Sequence, residues 1–454
     1  MNMQHDYLHK ISTFICKARL EDMDENILRH GRWVIADSLP VIGKGMQTDE
    51  MRALLRQQLD GAAGGNCWVL GAGRTTNALD ASLLNGTAGV WLELDEGNLF
   101  AKGHPGIQVV PAALSVAQET GASGAELLMA VILGYEVSAR ISRAARVRAC
   151  VHPHGTYGVI GAAIAVGRLK KFSPDQMRNL ISMAATMGMA TSRNTLLEGS
   201  TVRNIYSGHS ATMGQMAVRM ALAGFKGERD GVTSVYGGGV LSDEYDPGNV
   251  AEGLGHEWLM AKGYFKLHCT GRYVHSAIDA LQDALSQFPG ERLDPDRIRR
   301  IDVKAYRLAA MLGGKDITTS FGARFSVPFA LATLLHHGKT GLEAFDAAAV
   351  ANPSVQSLVA RVFVEEEPAY NASFPELQLC DVRITLEDGS SLHGRCEITK
   401  GEPANPHAPE ELQGKFFDLG LSLWDEPTVQ RLYQGCMALE DIDDFREFSS
   451  SLIL

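Results

Sequence analysis

Two changes of hydrophobic period divide this 454-residue chain. Over residues 7–265 apolar side chains recur three and four apart, as in Ile107, Val110, Leu114 and Ala117 and again from Leu127 and Val131 to Ile141, which is the period of a helix. After about Lys266 the period shortens to two. Residues 300–306 alternate polar and apolar like a half-buried strand, and 360–364 repeat the pattern. Val382, Ile384 and Leu386, the turn Asp388-Gly389, then Leu392 and Ile398 read as a hairpin. Helical runs over 276–285 and 326–335 flank these strands. Pro403, Pro406 and Pro409 close the segment, and helix is expected again over 411–454. The predicted fold is mainly α. Residues 1–265 and 401–454 make a large all-helical domain, and residues 266–400 make a smaller inserted α+β domain. The length agrees, since single cores stop growing at about 250–300 residues.

Local signals support the helical reading. Ser173-Pro174-Asp175 ahead of Met177, Leu180 and Ile181 marks a helix start, with a Ser cap, Pro in the first turn and an early acid. Gly155, Gly158, Gly161, Ala162, Ala165 and Gly167 form a small-residue run that lets a neighbouring backbone come close. The net charge of -11 argues against a nucleic-acid partner, which would want a basic surface. Seven dispersed cysteines without a CxxC pair read as reduced thiols. Residues 1–20, with His5, Asp6, His9 and Lys10, lack the apolar core of a signal peptide. The most apolar stretch, 127–135, is shorter than the roughly 20 residues a bilayer requires. The expectation is a cytoplasmic protein with no membrane partner. Gly71-Ala72-Gly73 and Gly237-Gly238-Gly239 lack the strand, helix and acid of a dinucleotide site and are expected to be turns.

Several residues carry usable chemistry. An imidazole titrates near neutral pH, so His152 and His104 are groups that can give or take protons, although a histidine satisfied by backbone near a helix start is the commoner use. Pro105-Gly106 after His104 suggests a turn that projects the imidazole into a cleft. Glu93 and Asp95 would share a face if extended, with solvated loop acids as the alternative. Lys266, Arg203 and Arg272 suit carboxylate binding, arginine through its fork and lysine as a point charge; a surface role is the commoner use. His275 and Asp279 stand four apart on an expected helix and could hydrogen-bond. Cys269 is a conceivable nucleophile. His152-x-His154 offers two metal ligands without a third and fourth at recognisable spacing, so no metal is expected.

Read in order, Asn85-Gly86-Thr87, Leu92-Glu93-Leu94-Asp95-Glu96, His104-Pro105-Gly106, Gly134-Tyr135-Glu136-Val137, His152-Pro153-His154-Gly155-Thr156, the segment 266–280 (KLHCTGRYVHSAIDA), Ser326-Val327-Pro328-Phe329 and Lys400-Gly401-Glu402-Pro403 resemble the MmgE/PrpD family over nearly the whole chain. Each segment is weak alone; the ordered set is strong. The resemblance implies a large helical domain, a smaller α+β lid, and an active site in the cleft between them. It also implies a homodimer that needs neither metal nor organic cofactor, acting on a small di- or tricarboxylate. Members lose water, lose CO2 or invert a stereocentre beside a carboxylate. Each reaction places charge on carbon, which demands a proton acceptor, a proton donor and cations. In that setting His152 is the first candidate for proton transfer, with His104, Asp95 and Lys266 completing the catalytic set. Arg203, Arg272, Glu93 and His275 are the substrate-binding candidates, His275 in a supporting place.

Four positions depart from the family's pattern. Val90 stands where His is frequent, Gly97 where Thr is, Arg203 for a lysine, and Phe329 for a tyrosine that could donate a hydrogen bond. The last two belong to the site that decarboxylating members use. The expectation is therefore a hydro-lyase or epimerase for a different acid. An aconitate-type decarboxylase, a metal-dependent lyase and a non-catalytic carboxylate-binding relative are the alternatives.

Overall fold

A computed structural model describes residues 6–61 and 64–452. Met1 to His5, Ala62, Ala63, Ile453 and Leu454 lie outside the described residues, and with them His5 and the end of the helix expected to reach 454. The chain is 57% helix against 10% strand, a mainly α fold. Its helical body contains α1 (Glu25–Gly45), α2 (Ala78–Gly89), α3 (Pro105–Thr120), α4 (Gly124–Ala144), α5 (Gly158–Leu169), α6 (Pro174–Ala185) and α7 (Ile205–Leu222). Pro105 opens α3 and Gly121, at φ 68°, closes it, because a left-handed residue there costs glycine little. Capping boxes start α4 (Ser123 with Glu126) and α6 (Ser173 with Gln176).

Helices α3, α4 and α5 are buried almost all round, as helices without a polar face must be. Small residues set their spacing. A Cβ on Gly134 would stand 2.5 Å from the Gly161 carbonyl oxygen, so any side chain there would separate α4 from α5. Two short antiparallel pairs interrupt the helical body: Cys67–Val69 with Arg74–Thr76, turned through Gly71 and Gly73, and Ala145–Val147 with Ser242–Tyr245. Strands of three or four residues are too short to register as a period.

The second unit holds α8 (Arg272–Ser286), β1 (Ile298–Ala305), α9 (Val327–His337), β2 (Val362–Glu366), β3 (Cys380–Leu386) and β4 (Ser391–Cys396). Its sheet runs β2-β1-β3-β4. The β1–β2 pair is parallel, with α9 in the crossover, and the others are antiparallel. Helix α8 covers β3 and β4. Ile398 falls beyond β4. Where one helix is expected after 411, the chain forms α10 (Pro409–Leu421), α11 (Glu426–Met437) and a short turn of helix at Phe445–Ser450; Asp425 and Asp444 cap fresh starts. Both α10 and α11 pack on α1.

Buried apolar side chains form two large clusters. One gathers residues between Leu8 and Phe265 with residues from Leu412 to Leu452. The other gathers residues from Cys269 to Cys396, joined by Val41, Leu92, Leu94 and Leu419 from the helical body. Leu92 and Leu94 thus fasten the loop after α2 into the second core, and the acids beside them stand where the two cores meet. No helix among the described residues is long and apolar enough to cross a membrane.

Candidate active site

The loop of acids is held from several sides. Lys415 of α10 donates to the Leu94 carbonyl at 2.7 Å and to Asp37 of α1 at 2.5 Å. The loop is not extended: Glu93 has φ 53°, a left-handed conformation that strains a residue with a Cβ. Both Glu93 and Asp95 are buried nonetheless. Lys266 Nζ lies 3.6 Å from Glu93 Oε2 and 3.5 Å from Asp95 Oδ1, and Arg203 Nη1 lies 2.7 Å from Glu93 Oε1. Lys266 is fully buried, and its Nζ has no hydrogen-bond partner among the described residues.

His104 precedes α3. Its Nδ1 lies 2.7 Å from the Glu96 carbonyl oxygen and 2.8 Å from Asp95 Oδ2. Both neighbours can only accept, so Nδ1 carries hydrogen and the lone pair of a neutral ring sits on Nε2. Burial alone would raise the Asp95 carboxyl, but the His104, Lys266 and Arg203 charges outweigh it and hold Asp95 well below the usual carboxylate range. Glu96 moves the other way. Burial and then the Asp95 charge push it up to about 8, while its oxygens accept from Gly106 N–H and the Tyr135 hydroxyl.

Three histidines stand edge to face. The His154 ring lies 5.0 Å from His104 and 4.8 Å from His152, centre to centre. His152 Nδ1 faces the His154 N–H at 3.1 Å, and its Nε2 faces Arg203 Nε–H at 3.3 Å. A neutral imidazole has a single lone pair, so only one of these donors can be accepted, and neither contact offers an acceptor for an added proton. Burial, then the Arg203 and Arg193 charges, hold His152 well below its ordinary pKa. His154 is held low by burial and Arg203.

Arg272 is already engaged. It donates to Glu402 at 2.7 and 3.1 Å and to the Lys400 carbonyl at 3.0 Å, and its guanidinium lies 4.3 Å from the Tyr264 ring centre. His275 accepts from Arg272 at 3.1 Å and so donates through Nε2 to the Thr270 carbonyl. The His275–Asp279 bond that their spacing allows is not formed: Asp279 instead accepts from Lys400 N–H at 2.7 Å, tying α8 to the chain after β4.

A cavity of about 350 Å³ opens among these groups. Glu93, His104, His152, Arg203 and Arg272 line it; Asp95, Lys266 and His275 stand behind the wall. Of the lining residues that the sequence reading did not assign to the site, His154, Arg193 and Tyr264 bear on its chemistry. His154 was visible only as a possible metal ligand. Arg193 sits in an irregular segment without periodic signal, and its Nε is buried with no hydrogen-bond partner among the described residues. Tyr264, two residues before Lys266, faces the His104 ring at 6.2 Å. Its hydroxyl occupies the space over Gly97: a Cβ on Gly97 would collide with it and stand 3.1 Å from His104 Nδ1. The departure at 97 therefore makes room for a tyrosine. Phe329 packs against Phe345 in the second core and does not line the cavity, so a hydroxyl missing there takes nothing from the wall. Val90 and Cys269 are buried and also off the wall. Among the described residues, no group of three His, Cys, Asp or Glu side chains is placed to hold a metal ion.

Two family models match this chain over most of its length. The model of the MmgE/PrpD N-terminal domain matches residues 9–246, and that of the MmgE/PrpD C-terminal domain matches 268–439. The cis-aconitate decarboxylase-like protein oryM of Aspergillus oryzae is 24% identical over 96% of this chain and 95% of its own length. The cis-aconitate decarboxylase of Mus musculus is 24% identical over 94% of this chain and 89% of its own. That of Aspergillus terreus is 23% identical over 93% and 91%.

Proposed function

This chain belongs to the MmgE/PrpD family, and on that premise we propose that it is an enzyme that takes a proton from carbon beside a carboxylate of a small organic acid. The observation that carries the reading is the setting of His104. With Nδ1–H pointed at Asp95 and the Glu96 carbonyl, Nε2 is the basic nitrogen at the cavity, and the Asp95 charge stabilises the imidazolium formed when it takes a proton. Arg193, with its unpartnered Nε, is the carboxylate anchor. Arg203 and Lys266 supply positive field for the charge that develops on carbon.

Tyr264 is the proton donor in this scheme. Burial keeps its hydroxyl well above the usual phenol range, hence protonated. In a dehydration, the C–H electron pair becomes the new double bond, and the β-hydroxyl leaves as water with the proton from Tyr264. In an epimerisation, the same carbon receives a proton on its opposite face. His152, between two donors, serves as a neutral neighbour that orients Arg203 rather than as the shuttle.

The scheme treats residues 266–400 as a lid on the helical domain formed by 1–265 and 401–454. It works as a homodimer without cofactor, as the resemblance implies, and its place in this reading is the cytoplasm. The decarboxylases among the relatives support a second reading, in which the bond to a carboxylate breaks, CO2 leaves and the carbon takes the proton. The test is incubation in deuterated water with citrate, methylcitrate, aconitate and iminodicarboxylic acids. Deuterium at carbon, or loss of water, is the expected outcome. CO2 release selects the second reading, and folded protein that binds but never exchanges or turns over leaves a carboxylate-binding relative.

A further inference from the structure

We infer that the acid taken by this site carries an apolar arm, an inference that rests on the carboxylate reading above. The cavity is polar where the three histidines and Arg203 gather. The same wall carries Leu196, Leu308, Met311, Leu312, Phe325 and Phe374, with Asn98, Lys102, Arg193 and Arg272 as further polar lining. The change is abrupt, because the Phe325 ring centre lies 5.8 Å from the Arg203 guanidinium. Phe374 is held in place, stacked on Tyr306 at 5.0 Å and edge-on to Tyr273 at 6.1 Å, so this part of the wall is preformed. Leu197 and Met311, also lining residues, are 45% and 49% exposed. Single exposed hydrophobics are ordinary, but a pair continuous with an apolar cavity wall is how binding surfaces for apolar ligands look.

Charge leads to the same conclusion. Glu93 holds Arg203, Glu402 and two carbonyls hold Arg272, and the Ala145 and Ser142 carbonyls hold Lys102 at 2.6 and 3.3 Å. Lys266 faces Glu93 and Asp95 from behind the wall. Arg193 spends only one long bond, from Nη2 to the Val151 carbonyl at 3.4 Å, and its Nε is left for a substrate carboxylate. A further carboxylate on this wall would be desolvated against phenyl and leucyl groups, which is costly without a partner. A chain of methylenes in the same place would be stabilised by its transfer from water.

Calorimetric titration of the whole protein with succinate and its 2-methyl, 2-butyl and 2-hexyl derivatives tests this. Affinity is expected to rise about two- to fourfold per added methylene. Met311→Glu should abolish that rise, whereas Leu222→Glu, at an exposed apolar residue off the cavity, should preserve it. A flat series with measurable succinate binding, as would follow if a second copy of the chain covered this wall, overturns the apolar arm and leaves the carboxylate reading intact. A rise that survives Met311→Glu overturns this wall as its seat. Failure of every member to bind brings down the carboxylate reading, and the arm with it.

Discussion

Two buried groups of charges in this molecule are built on opposite terms. On α4, Glu136 and Arg140 stand one turn apart and both are buried; Arg140 Nε meets Glu136 at 2.5 Å. The rest of the fork donates to the carbonyls of Val250, Glu252, Gly253 and Glu257, and the second Glu136 oxygen accepts from Met260 N–H at 2.9 Å. Every donor direction is used. At the cavity, Lys266 lies at ion-pair distance from two carboxylates yet makes no hydrogen bond among the described residues, and neither do the Asp95 oxygens by the stricter geometry of such bonds. Fully satisfied buried charge fixes a fold; charge left short of partners beside an opening is held ready for something else.

That contrast can be broken in order of effect. His104→Gln, which keeps bulk and polarity but loses the base, should fold normally and lose about 10²- to 10⁴-fold in turnover or exchange. Unchanged turnover would remove the assignment of the base. Arg140→Met should cost about 3–5 kcal/mol in urea unfolding, because it strands Glu136 in the core, with any loss of activity following from instability. Lys266→Met should cost no more than about 2 kcal/mol, since no hydrogen bond is lost, and should instead raise the acid limb of the pH–rate profile by removing a charge that holds Asp95 ionised. A cost equal to that of Arg140→Met would erase the distinction between the two groups.

Glu96 tests the comparison through pH rather than through a lost contact. Its ordinary pKa of 4.5 rises to about 8 in the fold. Below 4.5 both states hold the proton and nothing is lost. Between 4.5 and 8 the folded state binds more protons than the unfolded chain, so stability falls as pH rises, by at most about 1.4 kcal/mol per unit, and levels off above 8. Glu96→Gln should remove that decline when unfolding is compared at pH 5 and pH 8. Parallel losses in both proteins would place the titrating group elsewhere.

Much of the fold could be read in the chain because long elements repeat their signals. The periods over 107–117 and 127–141, the cap at Ser173 and the alternation over 300–306 all reappear as α3, α4, α6 and β1. The strand pairs at 67–76 and 145–245 could not be read, since three or four residues carry no period and the second pairs segments almost a hundred residues apart. The site divides in the same manner. Residue type was enough to nominate His104, His152, Arg203 and Glu93, all of which reach the cavity. Type was silent on Arg193 and Tyr264, whose meaning comes from what stands beside them.

What the sequence determined by itself, then, was the family, the order of its elements and a roster of groups able to move protons or grip anions. Only the tertiary structure decided which nitrogen of His104 is basic, that His152 sits between two donors, that Arg272 is pinned by Glu402, and that Phe329 belongs to a core. The reason is physical. A side chain's chemistry is written in its type, but its protonation and its freedom depend on partners that long loops and two packed cores bring within 3 Å or so, a distance over which hydrogen bonds and desolvation act and which linear spacing does not encode.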